Sequence, residues 1–127
     1  MFKSVHDIEF KGAFKLAQQV SERIRKATSN WEETDDADIF FKDYYLDYEN
    51  QCGFAVSFNG TLTNVFSLTK GNGDYIMVNA KKAGAINLDC FDGYLTSFYK
   101  RHGFEVVRRE ANWTPGDPDV CYMALSD

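Results

Sequence analysis

The sequence predicts an α/β fold: a mixed, twisted sheet with an N-terminal helix, a central β-hairpin, a β-α-β-α-β crossover and an antiparallel C-terminal strand pair. Three observations predict it. An apolar stripe at three- and four-residue steps opens the chain, two alternating runs flank Asn59-Gly60, and strand-like segments then alternate with helix-like ones. At 127 residues, one domain over 1–127 is expected, large enough to bury a core without disulfides or metal.

The first element is a helix over 10–27. Phe10, Ala13, Phe14, Ala17, Val20, Ile24 and Ala27 form its packed stripe, with Lys11, Lys15, Gln18, Glu22 and Arg25 facing outward. Ser4 and Asp7 both qualify as its cap. "TSNWEETDDAD" is polar and acidic and reads as a loop. An aromatic-rich strand follows over 39–48. In "CGFAVSFNGTLTNVFSL" the Asn-Gly pair calls for a type I′ hairpin turn. Phe54, Val56 and Phe58 then share one face of the first strand, and Leu62, Asn64, Phe66 and Leu68 one face of the second.

"TKGNG" is a glycine turn into a helix over 74–83, which Gly84 stops. "AINLDCF" is a short strand. Asp92 caps a helix over 93–102, which Gly103 ends, and 104–109 alternates as a strand. "NWTPGDPD" holds both prolines and is a loop, and "VCYMAL" is the last strand. The strand–helix–strand order across 61–91 implies a parallel neighbour pair with a right-handed crossover.

The net charge is −5 with no basic stripe, which argues against a nucleic-acid partner. Cys52, Cys90 and Cys121 are widely spaced, no Cys-x-x-Cys occurs, and His6 and His102 are the only histidines, so no metal site is expected. The cysteines fall in strand-like text and read as buried free thiols of a reducing compartment. "MFKSVHDIEFKGAF" lacks a continuous apolar run and no stretch is long enough to span a membrane. A cytoplasmic protein without a membrane partner is the expectation.

Two motifs stand in order. "GNGDYIM" carries Gly71, Gly73, Ile76 and Met77 at a strand-to-helix turn. "YKRHGF" carries Tyr99, Gly103 and Phe104 at a helix end. Together they resemble the GNAT superfamily of acyl-CoA-dependent N-acetyltransferases over roughly residues 53–125. The segment "AGAINLDCFDGYL" resembles acetyltransferase-like segments of bacteriophage-encoded proteins, which implies a phage origin. The resemblance implies acetyl-CoA as cofactor and an amine on a small molecule or protein as acceptor.

It also implies roles. The amides of Lys70, Gly71, Asn72 and Gly73 would hold the cofactor diphosphate at a helix N-terminus, where backbone donors and the helix dipole favour an anion. The main chain of Asn64, Val65, Phe66 and Ser67 would pair with the pantetheine arm like an added strand and stabilise an oxyanion. Tyr99 would protonate, or hydrogen-bond to, the leaving thiolate. The amine needs a base, and Asp43, Asp47 and Asp89 are the nearest carboxylates, since no Glu or Asp lies in 51–68. The acidic run 32–38 suits a cationic acceptor. Four positions depart from the pattern: Leu68 stands where the family has Arg or Gln, Asp74 follows Gly73, Asp92 replaces an Asn, and the usual carboxylate base is missing. These departures keep open a second expectation, a catalytically degenerate, GNAT-shaped binding or regulatory module, viral in origin, that acts through a protein partner.

Overall fold

The computed structural model describes residues 1–28, 30–33 and 36–126, without the side chains of Glu33, Asp36 and Ala37. It divides into two compact units, Met1–Ala85 and Ile86–Asp127. The chain is α/β, as expected, but every strand pairing among the described residues is antiparallel.

The first unit holds a four-stranded sheet in the order β1 (Lys3–Val5), β2 (Lys42–Asp47), β3 (Cys52–Ser57), β4 (Leu62–Ser67). On one face, α1 (Asp7–Val20) and α2 (Glu22–Ala27) bury Phe10, Phe14, Ala17 and Ile24 against Tyr44, Leu46, Ala55 and Phe66. Phe10 touches the rings of Phe14, Trp31, Tyr44 and Phe66 at centroid distances of 5.0–6.2 Å, so it centres this core. The other face carries Tyr45 and Phe54, with Phe54 met edge-on by Phe2. Phe2 in turn stacks on Tyr75 of α4 (Gly73–Lys82). Strand alternation explains the division: Tyr44 and Leu46 point one way, Tyr45 the other.

The expected single helix over 10–27 is two helices. Ser21 is extended at φ −132°, ψ 110°, and its Oγ accepts the Ile24 N–H at 3.2 Å, ending α1 and capping α2. Val20, expected inside, is exposed, while Gln18, expected outside, is buried and donates to Thr28 Oγ1 at 2.9 Å. α1 starts at Asp7, whose carboxylate accepts the Ile8 N–H, so of the two cap candidates Asp7 lies at the helix start. The "TSNWEETDDAD" segment contains a 3₁₀ turn (Trp31–Glu33) and begins a short helix, α3 (Asp36–Phe40), rather than a plain loop. Trp31 belongs to the core because its large apolar ring repays burial more than the polar neighbours cost. α3 also takes the start of the strand expected over 39–48.

The β3–β4 turn is not type I′. Only Gly60 has positive φ, at +87°, and Asn59 does not. Gly60 N–H donates to Ser57 O and Ser57 N–H to Thr61 O, which makes a three-residue turn with glycine in the left-handed place. That turn carries Phe58 outward, where it is 67% exposed instead of sharing the buried face with Phe54.

The second unit is a three-stranded sheet in the order β5 (Asn87–Phe91), β7 (Val120–Leu125), β6 (Phe104–Glu110), with α5 (Tyr94–Arg101) between β5 and β6. The expected C-terminal strand pair forms as β6–β7, and β7 is central. β5 takes β7 as its hydrogen-bonded neighbour, so the expected parallel pairing across 61–91 does not form as a ladder. Cys90 and Cys121 face each other across β5 and β7, and Cys52 lies in β3. All three thiols are free, Cys90 being only half-buried. Burial pushes the Cys52 thiol up to about 11 and Cys90 up to about 12, so neither is a ready nucleophile.

Candidate functional site

The first candidate segment is the outer edge of β4. Its ladder with β3 pairs Thr63 with Ala55 and Phe66 with Gly53, leaving Asn64 and Val65 together opposite Phe54. This is a bulge, and Asn64 takes the left-handed conformation at φ +56°, which asparagine tolerates better than most residues. Thr63 Oγ1 donates to Asn64 Oδ1 at 2.8 Å and Lys42 Nζ lies at 3.5 Å from the same oxygen. Burial lowers the Lys42 ammonium, opposed by the Asp38 carboxylate.

Gly53 makes the bulge possible. A Cβ there would lie 2.8 Å from the Tyr45 carbonyl oxygen and 2.8 Å from the Phe66 and Leu46 side chains. Phe66 itself is buried against Phe10 and Phe14, so its side chain belongs to the core, and its main chain pairs with Gly53 of β3. β4 is the edge strand of its sheet. Leu68 N–H donates to Gln51 O at 2.9 Å, so antiparallel alternation turns the Ser67 N–H and C=O away from β3, onto the open edge.

The second segment is the glycine turn into α4. Asn72 Nδ2 donates to Asn50 O and Ser67 Oγ, each at 3.0 Å, and to Thr69 Oγ1 at 2.5 Å. Thr69 Oγ1 reaches Asn50 O at 2.8 Å and Ser67 Oγ reaches Thr69 O at 2.6 Å. The turn is thus tied to β4 by side chains, and Asn72 precedes α4 without a side-chain cap bond. Gly71 has φ +88° and empty space where a side chain would point. Lys70 is exposed, and Asp74 stands in the first helical turn.

Arg23 is the residue that sequence reasoning missed. Its Nη2 donates to Ser67 O at 3.1 Å, which brings α2 to the open edge of β4. The break at Ser21 sets its direction, and an unbroken helical stripe gives no sign of that break.

Tyr99 lies in the second unit, on α5. Its ring is 7% exposed and packs edge-on against Phe98 and Phe104, at 5.2 and 6.1 Å. Among the described residues its hydroxyl has no hydrogen-bond partner, and no fully buried side-chain oxygen or nitrogen is left unpaired, so the hydroxyl keeps some solvent contact. Burial, then the neighbouring Cys90 and Asp89, push its pKa above the ordinary tyrosine range, so it is a weaker acid than a free tyrosine. The N-cap residue of α5 is Gly93, and the preceding Asp92 carboxylate accepts from Thr96 Oγ1 at 3.2 Å and from Arg109 at 2.8 Å.

Of the three carboxylates named as base candidates, Asp47 is removed by its surroundings. It is 1% exposed and accepts from Asn50 N–H, Asn50 Nδ2, Tyr75 Oη and the Met1 ammonium at 2.6–3.0 Å. Burial alone would raise its carboxyl, but the bonds from Tyr75, Asn50 and Met1 outweigh it and hold it well below the usual carboxylate range. Asp47 is a structural anion. Asp43 on β2 and Asp89 on β5 are exposed. Within the acidic run 32–38, residues 34 and 35 lie outside the described residues. Among the described residues no helix is long and apolar enough to cross a membrane.

The architecture is that of an N-acetyltransferase-like α/β fold. It is similar to a crystal structure described as a "putative N-acetyltransferase from Lactobacillus plantarum", with a TM-score of 0.55 and 15% identity over 97% of each chain. At that identity the likeness shows the fold alone. No protein-family model and no curated protein sequence matches the chain.

Proposed function

We propose that this chain is a GNAT-type N-acetyltransferase, moving an acetyl group from acetyl-CoA to an amine on a small molecule or protein, as one domain acting in the cytoplasm. The observation that carries the reading is the bulged, open edge of β4, followed at once by a glycine turn into α4 whose N-cap residue, Asn72, makes no side-chain cap bond. Those residues fit the cofactor. Ser67, with Asn64 and Val65 at the bulge, offers main-chain groups to an extended pantetheine amide chain, while the alternation that turns Ser67 outward turns the Phe66 main chain to Gly53. Lys70, Gly71, Asn72 and Gly73 offer donors to a diphosphate at the start of α4, a helix of ten residues.

Acetyl-CoA supplies an acetyl thioester. A main-chain N–H at the bulge stabilises the negative charge that gathers on the carbonyl oxygen when an amine adds to its carbon. The new C–N bond replaces the C–S bond, and the amine loses a proton to water or a carboxylate. Tyr99 donates a hydrogen bond to the leaving sulfur. A thiol ionises near 8.5 and Tyr99 well above the usual ~10, so the hydrogen bond, rather than full proton transfer, is the role that fits.

Calorimetric titration of acetyl-CoA tests the reading, with a Kd on the order of micromolar to sub-millimolar expected. Absence of heat at millimolar cofactor would favour the second reading, a degenerate scaffold of the same fold that holds a protein partner. Asp74, a carboxylate in the first turn of α4, is the observation on its side.

A further inference from the structure

We propose that Arg23 is a phosphate-binding residue, supplying from α2 the cation that Leu68 withholds from the glycine turn. The inference rests on the cofactor reading above. Arg23 Nη2 donates to Ser67 O, a carbonyl that alternation places on the open edge of β4. Three residues separate Ser67 from Gly71, and Asn72 Nδ2 donates to Ser67 Oγ, so the guanidinium sits where the edge strand passes into the glycine turn. A guanidinium carries five donors in a planar fork suited to phosphate oxygens. The Ser67 carbonyl is its one hydrogen-bond partner among the described residues.

The charge balance of the turn points the same way. Asp74 opposes an anion at the head of α4, and Lys70 alone only offsets it. Arg23 makes the segment net cationic. Its bond to a main-chain carbonyl fixes the fork without neutralising it, whereas a carboxylate partner would cancel the charge. The ligand class is a diphosphate or phosphomonoester at the end of an extended amide chain, and acyl-CoA has that chemistry.

The test compares acetyl-CoA with S-acetylpantetheine, which shares the arm and lacks the phosphates, on wild type, Arg23→Ala and Arg23→Gln. Both variants are expected to lose about tenfold in acetyl-CoA affinity, as for a lost charge-assisted hydrogen bond, and to keep S-acetylpantetheine affinity. Their affinity should also depend less on salt. Arg23→Gln retains a donor for Ser67 O, so agreement between the variants separates charge from support of β4. Unchanged acetyl-CoA affinity in both variants overturns the proposal while the acetyltransferase reading stands. Equal losses for both ligands also overturn it, because Arg23 then acts through the strand edge. Wild type that binds neither ligand removes the cofactor reading itself, and this proposal with it.

Discussion

The two candidate segments are held in opposite ways. The glycine turn is knitted to β4 and to Asn50 by hydrogen bonds among Asn72, Ser67 and Thr69. Tyr99 has no such net among the described residues: rings on either side fix its plane, and its hydroxyl keeps only some solvent contact. The difference teaches how each would work. A binding loop must present several amides at fixed spacing, so its side chains are consumed in bracing it. A proton or hydrogen-bond donor must keep its one polar atom unspent, so packing alone positions it.

The sharpest way to break that contrast is Tyr99→Phe. The substitution keeps the ring contacts and deletes an atom with no hydrogen-bond partner among the described residues, so the thermal midpoint should stay within a degree or two, in line with a near-zero stability change. Turnover should fall roughly ten- to a hundredfold with acetyl-CoA affinity intact, the scale of a lost hydrogen bond to a charged group. Steady-state kinetics beside a melting curve reads both. A large loss of stability would show that the hydroxyl is braced after all.

On the opposite side of the contrast stands Gly53→Ala. Its new Cβ would meet a main-chain oxygen at 2.8 Å, and backbone cannot swing aside as a side-chain tip can. A loss of roughly 2–3 kcal/mol is expected from overpacking, with the bulge at Asn64 and Val65 displaced. Urea unfolding measures the first, and loss of acetyl-CoA binding beyond that of an equally destabilised core variant such as Leu46→Ala measures the second. Asn72→Ala comes next. It frees Asn50 O, Ser67 Oγ and Thr69 Oγ1 at a partly exposed site, so about 1–2 kcal/mol is expected, together with weaker cofactor binding. An Asn72→Ala protein of wild-type affinity would mean that the net braces the fold and not the loop.

How much of this was legible follows the range of the forces involved. The α/β class, the order of β3 to β7, and both glycine helix ends are local signals, and they were readable in "GNGDYIM" and "YKRHGF". What escaped depends on contacts distant in sequence. Ser21 breaks a helix whose apolar stripe runs on unbroken through Ile24, because its hydroxyl finds the Ile24 amide. Trp31 hides in polar text because Phe10 and Phe14 lie above it. Arg23 points to β4 from 44 residues away. Gly53 did leave a trace, a lone glycine inside an alternating strand, which is the ordinary mark of a bulge or a close backbone approach.

Asp74→Ser carries the smallest effect and addresses the departure that most opposes the cofactor reading. Serine retains short-range hydrogen bonding at a helix start while removing the charge, so stability should change by no more than about 0.5 kcal/mol. If Arg23 and Lys70 draw a diphosphate against the Asp74 carboxylate, removing that carboxylate relieves a repulsion between exposed groups. Such a repulsion lies on the order of 1 kcal/mol or less, a several-fold gain in acetyl-CoA affinity. The gain should shrink as salt rises from low ionic strength to about 0.5 M, because the groups are screened there within a few ångströms. S-acetylpantetheine, which brings no phosphate, should bind wild type and Asp74→Ser alike. A loss of acetyl-CoA affinity on removing the charge would place Asp74 among the groups that orient the turn, and the contrast between a braced loop and an unspent hydroxyl would then extend into the helix itself.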